Sequence, residues 1–179
     1  MKKGIFSVLF VAVLALTMGL APGVMADNDT KVVTLYAGQH IDVGTVSVWK
    51  DGDNLYVKYE LAPGVVAEGW CIVETHVHVG KEPTDFPLAG RSGNPVPGRF
   101  DYKADHEPCV TECEYVIPLG DWEAGDVLLI AAQAVVENET DHETAWADGT
   151  RFVDRGNWAT YFTYTVKEPP VVRMIKTPH

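Results

Sequence analysis

Beyond residue 30 the chain alternates. Apolar and polar positions exchange in steps of two, without the three-four rhythm of an amphipathic helix, and Gly, Asn, Asp and Pro punctuate the runs. The segments at 31–38 (KVVTLYAG), 45–50 (TVSVWK), 55–61 (LYVKYEL), 70–80 (WCIVETHVHVG), 112–119 (ECEYVIPL) and 157–168 (NWATYFTYTVKE) each read as a strand. DGDN at 51–54 turns the second into the third as a hairpin. The run DVLLIAAQAVVE at 126–137 is apolar almost throughout, which predicts a central strand buried on both faces. Its alanines would permit a short buried helix, but Gly125 and the Val/Ile content favour the strand. Pro169-Pro170 ends the last strand.

Two stretches lack this pattern. One, 81–108, is rich in Pro and Gly and contains GRFDYK (98–103) as a candidate short strand. The other, NETDHETAWADGT at 138–150, is acidic. The whole predicts an all-β chain: an antiparallel β-sandwich of about seven to eight strands with two long loops.

The N-terminal segment differs. Lys2 and Lys3 precede an apolar stretch from Ile5 to Leu16, then Gly19, Pro22, Gly23 and a small-residue end at Ala26. That is the layout of a signal peptide over 1–26, cleaved after Ala26. A membrane anchor needs about 20 apolar residues, and this core is shorter. The expected mature chain is one β-sandwich domain over 27–179, secreted, extracellular or held at the cell surface. Loss of Lys2 and Lys3 takes the net charge from −11 to −13. Such a surface repels phosphate backbones and argues against nucleic acid as a partner. No later segment is apolar enough to span a bilayer, so the expected partner is an extracellular ligand or surface molecule.

An exported chain can form disulfides. With Cys71, Cys109 and Cys113, one thiol is left over. Cys109–Cys113 is the preferred pair because it closes a small loop; Cys71 with either is the alternative.

The sharpest chemistry lies in ETHVHVG at 74–80. Alternation along a strand puts Cys71, Val73, Thr75, Val77 and Val79 on a core face, with Ile72, Glu74, His76 and His78 on the other. Same-face neighbours are about 7 Å apart, close enough for two imidazoles to converge on one zinc or copper ion. Glu74, His76 and His78 are therefore candidate ligands. His106, His142, Asp148, Asp101 and Glu143 are possible further ones from the two loops. The carboxylates Glu137, Glu139, Asp141, Glu143 and Asp148 suggest calcium more weakly, without EF-hand spacing. A chain with no metal, using this face as an ordinary polar surface, is an equal alternative.

Asn138-Glu139-Thr140 is a glycosylation sequon. Trp146 and Trp122 are the tryptophans expected at the surface, where a flat ring can stack on a sugar, and Tyr161 is expected at the edge of a groove. Trp49, Trp70 and Trp158 are expected in the core. No G-x-S-x-G, H-E-x-x-H or phosphate-binding glycine loop is present, so no reaction is assigned.

His76-Val77-His78, with Gly80, locally resembles the copper-ligand strand of copper–zinc superoxide dismutases. That family's bridging histidine and later copper histidine cannot be placed by motif on His106 or His142, so its activity is not carried over. ETHVHVG, GNPVPGRFDY (93–102) and NWATYFTYTV (157–166) together resemble an uncharacterised family of exported prokaryotic proteins. That resemblance covers most of the expected mature chain and implies a secreted β-sandwich. The functional expectation is a secreted module that binds a ligand through its loops and the Glu74/His76/His78 face. The alternatives are a zinc or copper protein or metalloenzyme with ligands on that strand, and a structural cell-surface protein.

Overall fold

The computed structural model describes residues 29–168. The expected signal segment at 1–26 and Pro169-Pro170 lie outside the described residues. Strands β1 (Lys31–Ala37), β2 (Ile41–Asp51) and β3 (Asn54–Leu61) form a meander, and a short helix, α1 (Pro63–Ala67), leads into β4 (Cys71–Gly80). β5 (Leu88–Ala89) and β6 (Asn94–Pro95) pair within the following excursion. Then come β7 (Tyr102–Val110), β8 (Glu112–Pro118), β9 (Val127–Glu137), β10 (His142–Ala147), β11 (Thr150–Arg151) and β12 (Thr160–Thr165).

The sheet is antiparallel and runs β7-β4-β9-β10-β1-β2-β3-β8. One edge of β9 carries β4; β12 pairs with its first half and β10 with its second. The path curls so that β3 and β8 face β4 and β9 across the core. Tyr59, fully buried on β3, donates its hydroxyl to the carbonyls of His76 at 3.0 Å and Gln133 at 3.2 Å. The two ends of the path, β7 and β8, follow one another through Thr111 and touch through the rings of Tyr102 and Tyr115, with centroids 6.3 Å apart. The result is an all-β fold of two facing layers, drawn most of the way towards a barrel. Leu35, Val46, Val57, Ile117, Leu128 and Ile130 fill its interior. β9 is the central strand expected at 126–137, buried along most of its length.

The loop at 138–150 contains strand β10, and the end of 81–108 from Tyr102 onward belongs to strand β7. Both were hidden by the same cause. Their inward positions are small or polar, such as Ala104 and His106 on β7 and Ala145 and Ala147 on β10, so the apolar alternation is faint. The last strand begins at Thr160, which leaves Trp158 outside it.

The face assignment on β4 needs one correction. The register slips between Ile72 and Glu74, so Val73 is an extra residue. Ile72 joins the core with Thr75, Val77 and Val79, whereas Val73 and Cys71 do not. Glu74, His76 and His78 keep the expected outer face.

The disulfide is also different from the preferred pair: Cys71 is bonded to Cys109, with Cα atoms 5.6 Å apart, and Cys113 is free. β4 and β7 are paired neighbours, which brings Cys71 to Cys109. Cys113 lies on the next strand and turns inward, its Sγ 3.9 Å from Thr75 Oγ1. Burial pushes that thiol up to about 11.

Candidate functional site

Glu74, His76 and His78 point the same way but enter different surroundings. After β4 the chain folds straight back. A Cβ on Gly80 would come 2.7 Å from the Cβ of Asp85, so the turn needs glycine there. The Asp85 carboxylate accepts the backbone N–H groups of Lys81 at 2.8 Å and Glu82 at 2.9 Å, which holds its titration below the ordinary carboxylate range. This turn lays Phe86 and Phe100 over His78, with ring centroids 5.0 and 5.5 Å away. His78 is only 7% exposed, and its Nε2 donates to the Asp85 carbonyl at 3.1 Å. Its Nδ1 lies 3.3 Å from Asp101 Oδ2, an ion-pair distance for the protonated ring, at an angle that makes no hydrogen bond. His78 thus anchors the excursion onto the sheet. Through the Phe86 and Phe100 rings it packs on a second, smaller apolar cluster over β9 that also includes Leu129, Ala131 and Trp146.

His76 lies beyond the edge of that cluster and is open to a cleft of about 440 Å³. Gln133, opposite it on β9, fixes its chemistry. The amide Nε2 of Gln133 donates to the Ala134 carbonyl at 2.7 Å, so its Oε1 is the atom turned to His76. That oxygen can only accept, and it lies 2.6 Å from His76 Nδ1. The proton of the neutral imidazole is therefore on Nδ1, and Nε2 presents a lone pair. Glu74, one step along the strand, adds a carboxylate to the same cleft. Thr144 and Trp146 of β10 complete the floor. The backbone at Pro97–Gly98 forms one wall and Asn157–Trp158 another. Asn157 Oδ1 accepts the Ala159 N–H at 3.0 Å, which leaves its Nδ2 hydrogens for a ligand.

Of the other expected site residues, His106 shares the lining of one hollow with Glu74, and the rest are dispersed. His106 is on the core side of β4, its Nε2 2.9 Å from Thr75 Oγ1, which is in turn 2.7 Å from the Tyr115 hydroxyl. His142 opens β10, exposed and paired in register with Glu137. Asp148 is exposed just past the far end of that strand, its N–H donating to the Thr34 carbonyl at 2.7 Å. A separation of six strand residues is about 20 Å, so His142 and Asp148 cannot share an ion. Tyr161 packs on Phe86 and Phe152, with ring centroids 6.3 and 5.0 Å away, in the second cluster and off the cleft lining. Trp146, expected at the surface, is 2% exposed because Phe100 and the excursion cover it. Among the described residues no three His, Cys, Asp or Glu side chains are grouped closely enough to hold a metal ion.

The sequence reading missed Gln133, Thr144, Asn157 and the cleft role of Trp158. Gln133 was visible as the lone amide in an apolar strand. A buried amide must find partners, and such a residue marks a point where the strand touches something polar.

Glu74 also lines a second depression of about 400 Å³, where Asp105, Glu107 and Glu137 surround the exposed side of the disulfide. Glu74 lines both hollows. Among the described residues no helix is long and apolar enough to cross a membrane.

No family model matches the chain, and no curated protein matches it. Among solved structures, a crystal structure of a candidate carbohydrate-binding protein from Bacteroides uniformis is similar, with a TM-score of 0.37 and 11% identity. The match covers 74% of this chain and 57% of that one, so this chain spans less than two-thirds of that protein's length. The likeness is too remote to transfer anything from that protein to this one.

Proposed function

We propose that this chain is an exported binding module and that its ligand sits in the cleft over His76. The observation that supports this most directly is the Ala134–Gln133–His76 relay. A buried amide is committed to holding one imidazole in one tautomer, and the free nitrogen faces an accessible hollow beside Glu74 and Trp158. Ordinary surface histidines carry no such support, and orientation in advance is what a binding site gains from it. Export is supported by the signal-like segment at 1–26 and by the Cys71–Cys109 bond.

A second reading, zinc or copper binding, draws on the same relay, since a metal-bound histidine usually donates its other N–H to a fixed acceptor. Under it, Glu74 and His76 would be two ligands, with the rest supplied by water or by the bound molecule. The test is a mixed panel of sugars, peptides, amines and metal salts, screened by tryptophan fluorescence and by NMR of the His76 ring. Ligands that perturb both, and whose fluorescence change disappears in His76→Ala, support the cleft. A panel that leaves both signals unmoved sinks it.

A further inference from the structure

Resting on that reading of the cleft, we infer that its ligand is a neutral saccharide chain, stacked on Trp158 and threaded past Glu74. The first reason is charge. None of the residues that line the cleft is Lys or Arg, and Glu74 is its one charged group. The second hollow beside Glu74 is lined by Asp105, Glu107 and Glu137, with His106. Inside the cleft a uronate, sulfate or phosphate would lose its hydration and meet the Glu74 carboxylate, while the nearest ammonium, Lys103 Nζ, is bonded at the rim to the Gly98 carbonyl at 2.9 Å.

The second reason is the hydrogen-bond inventory. His76 Nε2 and Glu74 accept, Thr144 does both, and Asn157 Nδ2 donates. A sugar hydroxyl both donates and accepts, so one ring can satisfy this mixed set. An ammonium or guanidinium group, which only donates, would leave Asn157 without a partner.

The third reason is shape. Trp146 is almost wholly covered, so the cleft has one available aromatic face, at Trp158, and not the several faces that enclose a quaternary ammonium. Trp158 is half-buried, backed by the second cluster, and the part of it that lines the cleft is bordered by polar groups, an arrangement that suits a pyranose ring. The second hollow, which shares Glu74, gives a neighbouring ring somewhere to go.

The experiment is a glycan array carrying neutral and uronate or sulfated oligosaccharides, followed by fluorescence titration of the best ligand. The expected result is neutral glycans only, with longer chains bound more tightly than single sugars. Trp158→Ala should weaken binding by roughly tenfold or more, Trp158→Phe should keep most of it, and His76→Ala should weaken it as well. Equal melting temperatures will show that the variants fold. Acidic glycans as the chief ligands, or neutral binding untouched by Trp158→Ala, would overturn the inference. Amines or peptides that shift His76 while no glycan binds would overturn the ligand class and leave the cleft reading standing. Silence from every class would remove both.

Discussion

His76 Nδ1 donates to Gln133 Oε1 across 2.6 Å, between two paired residues of neighbouring strands, and Gln133 is otherwise spent on the Ala134 carbonyl. Replacing Gln133 with Met should release the ring. Two-bond nitrogen–proton NMR should show the Nδ1–H form in the wild type and mainly Nε2–H in the variant. Loss of the two hydrogen bonds made by the Gln133 amide should cost about 1–3 kcal/mol in a urea titration. An unchanged tautomer would mean that Gln133 does not set it.

Tyr59 reaches across the core to the carbonyls of His76 and Gln133 and fastens the front layer to the strands that hold the cleft. Tyr59→Phe removes that hydroxyl with little change of shape. We expect a loss of about 1 kcal/mol in chemical unfolding. We also expect faster amide exchange near His76 than in distant strands.

The pairing Cys71–Cys109 predicts a simple labelling result. Under denaturing, non-reducing conditions an alkylating agent should add once, at Cys113, and three times after reduction. Replacing both bonded cysteines with Ser should destabilise the fold by about 2–4 kcal/mol, as expected for a cross-link that spans a sequence separation of 38. Adducts at Cys71 without reduction would contradict the pairing.

Alkaline pH should expose Cys113. Burial raises its thiol from 9.0 to about 11 because the folded surroundings disfavour the thiolate. The unfolded chain therefore loses this proton first, and stability should be intact below about pH 9 and fall between pH 9 and 11. Burial likewise raises Tyr59, Tyr102 and Tyr115, but from 10.0. Cys113→Ala should shift the onset of the fall to higher pH, measured as the urea midpoint at stepped pH. An identical onset would assign the alkaline loss to the tyrosines alone.

Gly149 sits where a Cβ would overlap the carbonyl of Tyr161. Gly149→Ala should push β11 away from β12, and with it the segment that carries Asn157 and Trp158. Ligand affinity should fall severalfold, with a smaller change in melting temperature. Affinity equal to the wild type would show that the Trp158 segment is positioned without β11.

The strands at 31–38, 55–61, 70–80 and 126–137 were legible because their apolar positions repeat in the step a strand demands. β7 and β10 were not, because position 104 and positions 145 and 147 bury only alanine methyls. Within the site, alternation placed Glu74, His76 and His78 on one face. It could not show that the Gly80 turn covers His78 and leaves His76 open, since that depends on where Phe86 and Phe100 land. The partners of Cys71 and Trp158 depended on neighbours far along the chain, and no local rhythm reports those.

Val73 has a consequence for length. Remove it on paper and the strand still reads correctly: Ile72 inward, Glu74 outward, Thr75 inward. The core does not ask for this residue, so the distance along β4 from Cys71 to His76 is one residue longer than inward and outward faces require. The slack falls between the part of the strand that is tied covalently to β7 and the part that serves the cleft. Insertions and deletions at this point can move one part against the other without turning either side chain set over, and the chain thereby keeps an adjustable spacer in an otherwise fixed wall.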